Sequence, residues 1–157
     1  VNAVIRSAVV ADLPAILPMV KSLCDLHQSW DPLRYGFLPD VVDRYASWLP
    51  QRIADERSVV LVAAANGVIV GLILGEVLDE IPIYKVREYG FVHDTWVEPP
   101  CRGQGIARAL AAELVASFAR MGVGQIRLDT ATANDAARRL FASVGFVAST
   151  VQMLRQG

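Results

Sequence analysis

Leu13, Ile16, Leu17, Val20, Leu23 and Cys24 recur at three- and four-residue intervals and the run ends at His27. That spacing predicts an amphipathic helix with one face on a sheet. Asp12 stands where an N-cap belongs and Pro14 falls in the first turn. Val4 to Ala8, just before, reads as a short first strand. His27 closes the stripe at its edge, which points to a structural role. Ser29 to Pro39 breaks the period with two prolines and a glycine, yet carries Trp30, Tyr35 and Phe37. Those rings either anchor the core or wall a substrate pocket, since sites are built from loops on a rigid scaffold.

Asp40 to about Glu56 reads as a second helix, with Val41, Tyr45, Trp48 and Leu49 on one face and Pro50 expected to kink or divide it. The period then changes to two. Val59 to Ala65 and Val68 to Leu78 are β-branched runs joined at Asn66-Gly67, a strong hairpin signal. Ile81 to Glu88 is a loop around Pro82, leading to a fourth strand from Tyr89 to Val97. Gly105 to Met121 is a third helix, with Ile106, Ala109, Leu110, Leu114 and Phe118 as its buried stripe and Gly122 and Gly124 as its stop. Gln125 to Thr130 is a fifth strand, Asn134 caps a fourth helix through Val144, and Phe146 to about Arg155 is a final strand. The order predicts an α/β fold with a mixed, mostly antiparallel sheet and about four helices.

Composition narrows the function without naming it. The 157 residues suit one domain spanning 1–157. A net charge of -1 and scattered arginines argue against nucleic acid as a partner. No apolar run reaches the roughly 18 residues of a membrane span, so a soluble, cytoplasmic protein is expected. Cys24 and Cys101 are too few for a disulfide scaffold, and His27 and His93 stand too far apart for a zinc spacing. No metal is expected.

Chemistry enters at Val97 to Ala107, V-E-P-P-C-R-G-Q-G-I-A, which joins the fourth strand to the third helix. Gly103 and Gly105 remove Cβ atoms where the backbone must bend and approach a ligand, while Pro99 and Pro100 delay the helix start. The first N–H groups of that helix have no internal acceptor and sit at its positive end, a cradle for phosphate. A triphosphatase loop would need a Lys after the second Gly, and a dinucleotide fingerprint would need Gly or Ala where Arg108 stands. Further on, L-D-T-A-T-A-N-D-A-A-R-R-L-F-A-S-V-G-F carries Leu128, Asn134, Ala137, Gly145 and Phe146 in a spaced block. Together the two blocks resemble the cofactor-binding half of the GNAT N-acetyltransferase superfamily, from about Tyr89 to Phe146.

The resemblance implies a single-domain sheet of six or seven strands, with strands four and five splayed around acetyl-CoA as co-substrate. It implies that backbone N–H groups of Arg102, Gly103, Gln104, Gly105, Ile106 and Ala107 hold the pyrophosphate. Val97 would pair with the pantetheine arm, Asn134 would bond it, and Phe141 would pack near the thioester sulfur. Asn134 also satisfies the plainer role of helix cap. Homodimerisation by sheet edges is a further implication.

Such a fold transfers acetyl from the thioester to a primary amine of a small molecule or peptide. A lysine-like amine has a pKa of about 10.4 and is mostly ammonium at neutral pH, so a base is needed. Asp94, Asp129 and His93 are the candidates. Strand alternation puts His93 and Asp94 on opposite faces unless a bulge intervenes. Trp30, Tyr35, Glu76 and Tyr84 are candidate acceptor contacts, and Glu80 stands beside them. Many members place a Tyr acid where this chain has Phe141, which cannot donate a proton. Tyr84, Thr132 or Ser143 could serve instead, or water. The departure leaves a second reading open, a non-catalytic acyl-CoA-binding module.

Overall fold

A computed structural model describes residues 2–157. The elements are β1 (Val4–Ser7), α1 (Leu13–Trp30), α2 (Val41–Ala54), β2 (Ser58–Ala65), β3 (Val68–Asp79), β4 (Glu88–Val97), α3 (Ile106–Arg120), β5 (Ile126–Leu128) and α4 (Asp135–Ala142). The strands lie in the order β1-β2-β3-β4-β5. The first four run antiparallel, and β5 joins β4 in parallel. Asn66 and Gly67 both take positive φ, 51° and 79°, the primed turn whose twist matches the flanking strands β2 and β3.

Two apolar layers sandwich the sheet. On one face Ile16, Val20 and Leu49 of α1 and α2 meet Val62, Leu72, Leu74 and Trp96. On the other, Leu110, Leu114 and Phe118 of α3 and Phe141 of α4 meet Leu61, Ile73 and Val92. The fully buried Phe118 ring lies against bare backbone: a Cβ on Gly75 or Gly90 would come within 3.0 or 2.9 Å of it. Those two glycines set how closely α3 approaches the sheet. Helix α3 stops at Gly122, φ 80°, where Val123 N–H returns to the Phe118 carbonyl at 3.0 Å. Helix α4 stops in the same way, with Gly145 at φ 98° and Phe146 N–H on the Phe141 carbonyl at 3.0 Å.

Three sequence expectations change. The sheet has five strands, not six or seven, because residues 146–157 form no ladder. Phe146 packs on Phe141, ring centroids 5.3 Å apart, but beyond it Val147, Val151 and Met153 are exposed and no neighbouring edge is engaged. Pro50 does not divide the second helix, which continues to Ala54. Its last turn is held by the fully buried Leu49 and by Arg52, paired with Glu76 and Asp55. Asp12 does not cap α1; its carboxylate takes two bonds from Arg6, at 2.7 and 2.8 Å, and one from Val9 N–H at 2.9 Å. Pro99 and Pro100 delay α3 but themselves enter a short 3₁₀ turn, Pro99–Cys101. No helix among the described residues is long and apolar enough to cross a membrane.

Candidate active site

β5 meets β4 at only three positions, Gly90–Ile126, Phe91–Arg127 and Val92–Leu128. From His93 onward the two strands part, leaving an open edge on β4. The register decides which backbone groups face it. Glu98 N–H donates to the Val70 carbonyl at 2.9 Å, so Gly71–Val97 is a pair whose own N–H and C=O point away from each other. The Val97 peptide groups therefore face the gap, where an extended ligand could pair with them. The Val97 carbonyl accepts from Arg102 Nε at 2.8 Å, and the Arg102 guanidinium lies 4.5 Å over the Trp96 ring.

At one end of this edge stands the glycine loop. Gly103 and Gly105 take φ of 73° and 81°, the left-handed region that L side chains avoid. Nothing lies within 4 Å of where their Cβ atoms would be. Their reason is thus conformational, and the loop is open on its outer side. Gly105 makes no side-chain cap, and Ala109 N–H, on the Gly105 carbonyl at 3.0 Å, is the first of α3 with an internal acceptor. The N–H groups of Ile106, Ala107 and Arg108 precede it at the positive end of a helix 15 residues long.

Between the parted strands lies a cavity of about 60 Å³, lined among others by His27, His93, Thr95, Asp129, Asn134 and Phe141. Thr95 on β4 and Thr130 just past β5 are also lining residues, and the Oγ1 of each is buried without a hydrogen-bond partner. A buried hydroxyl left unpaired costs roughly 1–3 kcal/mol, so two beside one slot mark a place for a polar chain. Asn134 Oδ1 accepts from Ala137 N–H at 3.0 Å, the cap role, which leaves its amide N–H groups to donate. A larger cavity of about 290 Å³ includes Arg52 and Arg120 but no residue of β4 or β5. Those arginines already pair with Glu76 and Glu113.

The base candidates separate by position. Leu74 pairs with Asp94 and Gly75 with Val92, so His93 is the extra residue of a bulge. The bulge undoes the alternation and turns both side chains to the α2 side. His93 rests edge-on against Trp48, centroids 5.5 Å apart, while Asp94 Oδ2 accepts from the Tyr45 hydroxyl at 2.9 Å. Asp94 is 9% exposed and lines no part of the cavity. Burial pushes its carboxyl above the ordinary range, opposed by the Tyr45 bond and then by His93 and His27. His93 Nε2 lies 2.8 Å from Glu76 Oε1. A carboxylate only accepts, so Nε2 carries the proton and Nδ1 is the free position of a neutral ring. Glu76 is held in turn by Arg52, which makes it a support for His93. Asp129 is exposed and faces the cavity.

The aromatic loop also finds its place. Trp30 and Tyr35 enter neither apolar layer; their rings stand 5.4 and 4.8 Å from His27. Trp30 closes α1 and Tyr35 follows in the loop, so both rings pack on His27, which itself lines the cavity. His27, expected to be structural, is the cavity residue that sequence reasoning missed. The signal was available in its place at the open end of the first apolar stripe, followed at once by aromatics. Tyr84 is 54% exposed in the β3–β4 loop and does not reach the cavity. Glu80 is bound to Arg127 at 2.6 Å.

An open strand edge, a phosphate-suited loop and a helix-capping Asn follow one another along the chain. The family described as Acetyltransferase (GNAT) family matches residues 21–146. The chain belongs to the GNAT family. It is 39% identical over 84 residues to the N-alpha-acetyltransferase RimI of Mycobacterium tuberculosis, a match covering 54% of this chain and 49% of that protein. It thus spans about half the length of that relative. The fold matches the F44R mutant of the BH1408 protein from Bacillus halodurans with a TM-score of 0.86, at 20% identity, over 98% of both chains. A predicted acetyltransferase of Clostridium acetobutylicum, solved with acetyl-CoA, matches with a TM-score of 0.78 at 21% identity, over 99% of this chain and 96% of that one.

Proposed function

We propose that this chain transfers the acetyl group of acetyl-CoA to a primary amine of a small molecule or peptide, by direct attack with both substrates bound. The observation that carries this reading is the pair of unpartnered hydroxyls, Thr95 and Thr130, across the slot between β4 and β5. The pantetheine arm of acetyl-CoA is a chain of amides whose polar groups would satisfy both. The Val97 peptide and the Asn134 amide would extend the same ladder. The N–H groups from Arg102 to Ala107 would receive the pyrophosphate, and Phe141 would pack beside the sulfur. The group supplied is an activated acyl thioester.

This chain's residues would do the rest. Asp129 and His93 both line the slot, where an ammonium would lose a proton before it can attack. Asp129, an exposed carboxylate, draws the cation in, and His93 Nδ1, its ring set by Glu76, accepts the proton. A base in this position contributes about 10²- to 10⁴-fold. Trp30 and Tyr35 would wall the acceptor's path. In the reaction the amine nitrogen bonds to the acetyl carbon, the carbon–sulfur bond breaks, and CoA leaves as thiolate. The partial match to RimI supports a peptide N-terminus as one acceptor class. The openness of Asp129 to the slot favours catalysis over a binding-only module.

The test is free-CoA release from acetyl-CoA with purified protein and a panel of polyamines, amino acids, aminoglycosides and N-terminal peptides, with Asp129→Asn and His93→Gln alongside. Acceptor-dependent release, lost in either variant, supports the reading. Saturable acetyl-CoA binding without release for any acceptor returns the chain to a binding module.

A further inference from the structure

Phe141 leaves the departing thiolate without a phenol to protonate it, and the three hydroxyls that the sequence offered in its stead do not replace one. Tyr84 stands in the exposed β3–β4 loop. Thr132 is exposed and lines no part of the cavity, and Ser143 Oγ is spent on the Leu140 carbonyl at 2.6 Å. Thr95 and Thr130 border the cavity too, but an alkyl hydroxyl is a far weaker acid than a thiol. His27 is the cavity group that can donate a proton to sulfur and is unused by the scheme above. His27 Nδ1 lies 2.9 Å from the Leu23 carbonyl one turn earlier. A carbonyl only accepts, so Nδ1 keeps its proton in either charge state, and all proton exchange falls to Nε2. The Trp30 and Tyr35 rings hold the imidazole edge-on, and the ring borders the cavity that Phe141 also borders.

We propose that His27 is a further catalytic residue of this site, the general acid that gives its Nε2 proton to the CoA sulfur as the carbon–sulfur bond breaks. The proposal rests on the acetyl-transfer reading above. The balance is simple: the amine nitrogen bonds the acetyl carbon, the bonding pair leaves on sulfur, and His27 protonates it. His27 returns to neutral as the Nδ1–H tautomer. That is the tautomer the Leu23 carbonyl already holds, so no ring flip is needed. The proton lost by the amine to His93 leaves to solvent, and His27 is recharged from solvent. The charged and titratable groups around His27 are His93 on β4 and Asp129 beyond β5, which border the same cavity, Tyr35 on the loop, Asp31 at the end of its own helix and, acting through its charge, Asp94 on β4.

The test compares wild type with His27→Asn, His27→Ala and Tyr35→Phe on the best acceptor from the panel. Asn keeps a donor for the Leu23 carbonyl and lacks Nε2. We expect His27→Asn to lower kcat by about 10²-fold or more, with acetyl-CoA affinity unchanged. The acid form is lost as pH rises, so the wild-type rate falls on the basic side, and that limb disappears in the variant. Added imidazole restores part of the rate to His27→Ala. Wild-type kcat in His27→Asn, an unchanged basic limb, loss without imidazole rescue, or loss of the limb in Tyr35→Phe instead would each overturn the proposal while leaving acetyl transfer standing. Absence of release by the wild type with every acceptor would overturn both.

Discussion

The Tyr45 hydroxyl donates to Asp94 Oδ2 at 2.9 Å, tying α2 to β4 through a carboxyl that is 9% exposed. Burial raises this carboxyl's pKa, so the native state holds its proton at pH values where the unfolded chain has released it. Stability therefore falls as pH rises through that window, upward from the ordinary carboxyl value. Tyr45→Phe leaves the charge without its donor and should cost about 1.5–3 kcal/mol at pH 8, and less at pH 4. Asp94→Asn keeps an acceptor for the hydroxyl, carries no charge, and should flatten the pH dependence. Urea unfolding at the two pH values measures both.

The two orphan hydroxyls give a prediction of opposite sign for the free and bound protein. Thr95→Val or Thr130→Val removes a buried group with no partner and should leave the free protein unchanged or more stable, by up to about 1–2 kcal/mol. The rise in Tm on adding acetyl-CoA should shrink in the same variants. An undiminished rise would place the pantetheine arm elsewhere.

Gly105→Ala forces a methyl into a left-handed backbone, φ 81°, although nothing stands in the way of the methyl itself. The cost is conformational, about 1–2 kcal/mol, and it falls on the segment that presents the first N–H groups of α3. Acetyl-CoA affinity should drop by about tenfold for each 1.4 kcal/mol of that cost that the bound state bears. Calorimetric titration reads this directly.

Gly90→Ala is the structural control. Its new methyl would meet the Phe118 ring at 2.9 Å, and Phe118 is fully buried with no room to turn. Overpacking of this kind costs about 1–3 kcal/mol. Chemical denaturation should show that loss, with kcat of the folded fraction unchanged.

The sequence by itself determined the local features: the Asn66-Gly67 hairpin, the glycine loop before α3, the Asn134 cap and the order of strands and helices. Each depends on a few neighbouring residues and on backbone rules that act over one or two turns. The sequence also pointed to the family, because its two motif blocks each depend on closely spaced positions. Tertiary structure decided the rest. The bulge at His93 exists only through the mismatch with β3, and it turned His93 and Asp94 to one side where alternation would have parted them. Asp94 became a buried strut because Tyr45, 49 positions away in the chain, arrives on α2 to bond it. The final strand failed for want of a ladder, and a β-like pattern supplies none. His27 changed most: its spacing marked the edge of a core stripe, and only the parting of β5 from β4 opened a cavity beside it. Burial, pairing and access are properties of what packs against a residue, which is why they lie beyond the reach of spacing.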